Sequence, residues 1–265
     1  MNQRQWDYFC KFKDDFKKKI EEWNQKVPDL KELQKQAAKE AKTPDYPFET
    51  PIVYNKDLDK LTVKDEIRLI VIGDNPGKDE QLLKNNRYLV GQAGKIADGF
   101  FKRHQELNVD FRKNVIILNK TPVHSAKTNQ LKKMMTAGGE KVKDLIQESQ
   151  NWMAEQTALL QINLSLLSQN GESKPELWLV GYGELKNKGF FTSYRDVLKR
   201  TYEMCCGGQA NFSPWNNVYV FQHFSMNRFT IDLNDFINKN NLSQNKLIDN
   251  IHSLGNIHKA EIFEI

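Results

Sequence analysis

The stretch "VIGDNPGK", residues 71–78, decides the fold: an apolar run stops at Gly73, and Asp, Asn, Pro and a second Gly follow within four positions. The whole run, "IRLIVIG" (Ile67–Gly73), is apolar on both alternations, which predicts a strand covered on both faces. "NVIILN" (Asn114–Asn119), "ELWLVG" (Glu176–Gly181) and "NVYVFQ" (Asn217–Gln222) share that character and are rich in β-branched or aromatic residues. Helical patterns around Lys95–Gln105, Glu140–Ser168 and Thr192–Met204 lie between them, so strand and helix alternate. The expected fold class is α/β, a three-layer sandwich with a central, mainly parallel four-stranded sheet. Ligands of such sheets sit at the carboxyl ends of the strands. The residues just past each run are therefore the informative ones: "GDNPGK", "NKTPVHSAK", "GYGELKNK" and "HFSMNRF".

Ahead of the sheet, Trp6, Phe9, Phe12, Phe16, Ile20 and Trp23 recur every three or four residues among Lys and Asp, the stripe of an amphipathic helix. Such a stripe faces the protein's own core in most cases, the other reading being a helix that docks a partner. A more polar helix, "LKELQKQAAKEAK", follows from Leu30. "TPDYPFETP" (Thr43–Pro51) then carries three prolines, which break helices and favour extended chain. The expected division is an N-terminal helical extension over 1–50 and an α/β domain over 51–265.

Composition narrows the function classes without choosing one. Lys and Arg number 39 against 34 Asp and Glu, a mild excess that permits a polyanionic partner. The three cysteines, Cys10, Cys205 and Cys206, suit neither a disulfide framework nor a four-cysteine zinc or iron–sulfur site. The five histidines are scattered without ligand spacing, so neither metal nor cofactor is expected. There is no signal-peptide pattern and no run of membrane-spanning length, which leads us to expect a soluble monomer with no membrane partner. Its expected place is the cytoplasm, beside the nucleoid, or the nucleus in a eukaryote. Two common nucleotide motifs fail. Gly73 and Gly77 are separated by three residues where a P-loop needs four, and "GYGELK" has Lys186 where a dinucleotide fingerprint needs its third Gly.

A strand ending in Gly-x-Asn-Pro-Gly, one ending in Leu-Asn, one followed by Gly-Tyr-Gly and a last ending in His-x-Ser occur here in that order. This ordered set, spanning roughly Pro51 to Arg228, resembles the uracil-DNA glycosylase superfamily. The resemblance implies a hydrolase that breaks the N-glycosidic bond of uracil, or a related damaged base, flipped out of single- or double-stranded DNA. That chemistry builds positive charge on the sugar and negative charge on the departing base, and it requires the base to leave the stack.

Carried over residue by residue, the resemblance makes Asn75 the holder of the attacking water, with Asp74 as an electrostatic helper or merely the cap of the turn. Asn119 becomes the reader of the uracil edge, since an amide offers a donor and an acceptor together. His223 becomes the donor toward O2 of the base, and Ser225 a contact to the DNA backbone, with Gly77 grouped beside it. Tyr88 or Leu89 walls the base pocket; adjacent residues on extended chain point apart, so only one can face the base. The wedge that fills the hole in the stack falls on Asn227, with Met226 or Phe229 as substitutes and Arg228 beside them. Phe224 stands where the family has Pro, and an aromatic there can pack below the loop. The cysteine count excludes the iron–sulfur branch of the family.

Three functions of different classes follow: a glycosylase that leaves an abasic site, a catalytically weak glycosylase-like protein that binds nucleic acid or a nucleobase, and a scaffold whose aromatic N-terminal helix docks a partner.

Overall fold

The computed structural model describes residues 1–169, 174–206, 213–243 and 246–264. Four short strands, β1 (Leu69–Gly73), β2 (Val115–Asn119), β3 (Glu176–Val180) and β4 (Val218–Phe221), form one sheet in the order β2-β1-β3-β4. Every pairing is parallel. The α/β expectation holds, and the sheet is wholly parallel.

The doubly apolar runs explain why the sheet lies in the middle. Ile70, Ile72, Ile116, Leu118, Leu177, Leu179, Val218 and Val220 face one buried cluster, and Leu69, Val71, Val115, Ile117, Trp178, Val180, Tyr219 and Phe221 face a second on the other side. The first cluster is roofed by α1 (Gln3–Lys26), α4 (Thr128–Ala137), α5 (Gly139–Leu166) and α7 (Thr192–Cys206). The second is covered by α3 (Gln92–Arg103) and α8 (Arg228–Lys239). The closing helix α9 (Leu247–Phe263) runs along β4 and contributes to both clusters. The short α2 (Leu30–Glu40) and α6 (Tyr182–Leu185) complete the helices used below.

The aromatic stripe of α1 belongs to this core. Phe9, Phe12, Phe16 and Trp23 are buried, and Phe16 and Trp23 lie 5.6 and 5.7 Å from the Trp152 ring of α5. A face so covered is not a docking surface, and the scaffold reading loses its observation. Phe16→Ala should cost about 3–5 kcal/mol, the transfer of a phenyl ring plus the cavity it leaves. Urea unfolding measures this; a loss below about 1 kcal/mol would mean that α1 packs only loosely. From α2, the buried Gln34 donates to the carbonyls of Pro51 and His124 at 2.8 and 2.9 Å. The N-terminal helices thus support the loop that follows β2. No helix among the described residues is long and apolar enough to cross a membrane.

Candidate functional site

The chain passes from the central β1 to β2 on one side and then to β3 on the other, so β1 and β3 flank the point where the strand order reverses. A cleft of about 500 Å³ opens at this carboxyl edge. Asp74 and Asn75 after β1, Asn119 at the end of β2 and His223 after β4 all line it. Loops far apart in sequence therefore meet around one cavity.

Asn119 pairs in register with Gly73 of β1, and its side-chain oxygen lies 2.4 Å from where a Cβ on Gly73 would be. Only glycine leaves room for the amide, which is why the strand must end in Gly. The Asn119 side chain is 2% exposed, and its Nδ2 has no hydrogen-bond partner among the described residues. A buried donor left unpaired costs about 1–3 kcal/mol, and Asn119 is among the residues lining the cleft, so its amide is suited to an acceptor on a ligand.

Asp74 does more than cap a turn. Its carboxylate accepts from Nζ of Lys120 at 2.5 Å, and the same ammonium donates to the carbonyl of Val180 and lies 5.1 Å from the centre of the Phe191 ring. Lys120 is completely buried. Removing Asp74 would strand an ammonium away from water, so the pair is held together by mutual need. Gly181 makes space for it: its φ is +94°, and a Cβ there would lie 2.3 Å from the Asp74 oxygen.

Asn75 is tied to the segment after β2. Its Nδ2 donates to the carbonyl and the hydroxyl of Ser125 at 2.9 and 3.0 Å, and its Oδ1 accepts from the Thr128 hydroxyl at 3.3 Å. An amide oxygen has two lone pairs, so one stays open for a water. From behind, the buried His124 donates through Nδ1 to the carbonyl of Pro76 at 2.8 Å, while Tyr46 donates its hydroxyl to Nε2. Burial pushes the His124 imidazole down to about 4, so it is a neutral strut near pH 7.

The tautomer of His223 follows from its partners. The backbone N–H of Ser225, which can only donate, points at Nδ1 at 3.0 Å, and the Ser225 hydroxyl lies 2.8 Å from the same nitrogen. Nδ1 is therefore the acceptor, and the ring proton sits on Nε2. Burial holds the ring below its usual pKa, opposed by the charge of Asp74 and aided by that of Lys120. The cleft thus receives a neutral imidazole with a fixed N–H.

Other expected positions fall differently. Leu89, with φ of +49°, lines the cleft, whereas Tyr88 turns inward and gives its hydroxyl to the carbonyl of Val53. Tyr88 is core and does not wall the pocket. The Ser225 hydroxyl is spent on His223, and the Gly77 N–H donates to the Glu80 carboxylate at 2.7 Å, so neither group is free to donate to a phosphate. Phe229 is buried and cannot serve as a wedge. Phe224 packs beneath the loop, 5.1 Å from the ring of Phe229. Met226 is 71% exposed, and it and Asn227 have φ of +53° and +55°. Consecutive left-handed residues that are not glycine are costly, and here the apolar Met226 side chain stands in solvent with exposed Arg228 beside it.

No protein-family model, no curated protein and no solved structure matches the chain.

Glu80, Lys120, His124, Ser125 and Thr128 belong to the site and its supports without being part of the motifs. Four of these lie in "NKTPVHSAKT", with Lys120 directly after Asn119, so proximity to a strand end is the available signal. Among the described residues no group of three His, Cys, Asp or Glu side chains could hold a metal ion.

Proposed function

We propose that the cleft receives a uracil, or a related damaged base, turned out of a DNA strand, and that the chain hydrolyses the bond joining that base to deoxyribose. The observation that carries this reading is the buried, unpartnered Nδ2 of Asn119 in the cleft that Asn75 and His223 also line. The carboxamide matches O4 and N3–H of uracil as donor and acceptor, and cytosine, with an amine at position 4, would face it donor to donor.

The remaining groups suit the charges of that reaction. As the bond from C1′ to the base breaks, its electron pair goes to the base, and the Nε2–H of His223 donates to the developing anion at O2. The Asp74 carboxylate stabilises the cationic sugar. The water held by Oδ1 of Asn75 then bonds to C1′, and Asp74 takes the proton it sheds, since an amide can orient water but cannot accept its proton. Ser225 orients His223, and the exposed, apolar Met226 suits the role of filling the stack behind the extruded base.

One observation favours a second reading. Both donors and one acceptor position of Asn75 are already engaged by Ser125 and Thr128, and Asp74 is ion-paired. A site so satisfied suits a protein that binds the base and turns it over poorly. An end-labelled oligonucleotide with a single uracil, incubated with the protein and then treated with alkali, separates the two. The glycosylase reading expects a break at the uracil that appears only after alkali. Retention of the oligonucleotide without a break supports the binding reading, and neither binding nor cleavage defeats both.

A further inference from the structure

The prolines of "TPDYPFETP" keep this segment extended, and the fold pins it along its length. The fully buried Gln81 accepts the N–H groups of Glu49 and Thr50 at 2.6 and 3.2 Å and donates to the carbonyls of Pro47 and Lys78 at 2.6 and 3.0 Å. Towards its start, Gln130 of α4 donates to the Thr43 hydroxyl at 2.7 Å. The Tyr46 hydroxyl is seated on His124, which in turn holds the Pro76 carbonyl in the loop that carries Asn75. Two neighbouring rings are held in this way, Tyr46 and Phe48, with centres 4.2 Å apart, and both are only half-buried.

The two rings line a cavity of about 480 Å³ together with Lys35, Lys39 and Asp45. Lys35 is paired with Glu32 at 2.8 Å, whereas the exposed Lys39 meets no carboxylate among the described residues. Lys78 connects this cavity to the cleft: it lines the cleft, and its Nζ lies 5.4 Å from the centre of the Tyr46 ring. Fixed aromatic faces beside ammonium groups suit a single nucleic-acid strand, in which every base offers a π face and every step a phosphate. A duplex hides those faces in its own stack. We propose that Tyr46 and Phe48 stack a base of a single strand next to the nucleotide whose base enters the cleft, with Lys39 and Lys78 on the flanking phosphates. This rests on the reading of the cleft as a nucleobase site and adds to it the single-stranded form of the substrate.

Anisotropy of a fluorescein-labelled thymine oligonucleotide of about 12 nucleotides, within the span that such sites cover, tests this on the full chain. Phe48→Leu occupies the same place without a π face and leaves the pins of the segment intact. It should weaken binding by about 5- to 100-fold, the worth of one stacked base, and Phe48→Trp should restore it. Lys39→Ala should flatten the fall of log affinity with log salt by about 0.7, one phosphate of a single strand. The matching duplex should bind the unaltered chain about tenfold more weakly or worse. An F48L variant that binds as tightly as the unaltered chain, an F48W variant that loses as much as F48L, or a duplex held as tightly as the strand would overturn the platform. An unchanged salt slope would remove Lys39 from the strand's path. No binding of the strand at all would also overturn the platform and give the groove to a protein partner. The thymine strand holds no uracil, so the glycosylase reading is decided separately by the alkali assay: a chain that binds through Phe48 and never cleaves keeps the platform and loses the hydrolysis.

Discussion

Asn75→Ala should lower turnover of a uracil-containing strand by about a hundredfold or more, with affinity for the strand unchanged, the scale seen when one preorganised polar group is removed from a reaction centre. The reason lies in how the amide is held. Three hydrogen bonds to Ser125 and Thr128 fix its plane, and Oδ1, with a single protein donor, keeps one lone pair for a water. Alanine removes that lone pair and also leaves the Ser125 carbonyl without its donor, a loss of about 1–3 kcal/mol in stability. Saturating kinetics at a temperature well below the melting transition separate the two effects, since a folded variant with a loosened loop still binds. Undiminished kcat would remove Asn75 from the chemistry. It would leave the loop after β1 as structure alone.

Asn119→Asp should exchange the base preference. A carboxylate accepts from the exocyclic amine of cytosine and repels O4 of uracil, and an acceptor facing an acceptor in a water-poor site is severe. Sites built around a hydrogen bond reject the unmatched analogue by about 10⁴ or more, so uracil release should fall by several orders of magnitude. Cytosine release should rise from background but stay modest, because the new carboxylate is buried beside Gly73 and must be desolvated. Paired oligonucleotides with uracil or cytosine at one position measure the ratio. An unchanged ratio would show that Asn119 does not read the base.

The sheet was legible because each strand is apolar on both alternations, and only a strand covered on both sides needs that. Helices α3, α5 and α7 were visible within a few residues of their ends. The pattern does not announce α4, where "TNQLKKMMTA" is short and mostly polar, nor α8 and α9, which lie beyond the last strand. The candidate site was legible only where a polar residue stands at a strand's end or within two residues past it: Asp74, Asn75, Asn119 and His223. Its supports were not. Glu80 sits in the charged stretch "GKDEQ" and Lys120 directly after a strand end, and only the folded chain brings near the groups that bury them, the Val180 carbonyl at Lys120 among them. The choice between Tyr88 and Leu89 depends on a positive φ at Leu89 that nothing in "NRYLVGQ" announces. Ser225 was expected to serve DNA, yet its hydroxyl lies two residues from His223 and the loop turns it back onto the imidazole.

The central claim is that Asn119 and His223 grasp the same extruded base. Isotope-labelled protein can be titrated with an oligonucleotide carrying one 2′-fluoro-2′-deoxyuridine, whose fluorine disfavours the cationic sugar and keeps the bond intact. The account predicts that the Asn119 side-chain NH₂ and the His223 Nε2–H resonances shift together, and that the same oligonucleotide with cytidine in that place moves neither. Shifts confined to other parts of the molecule, or identical shifts with both oligonucleotides, would contradict it.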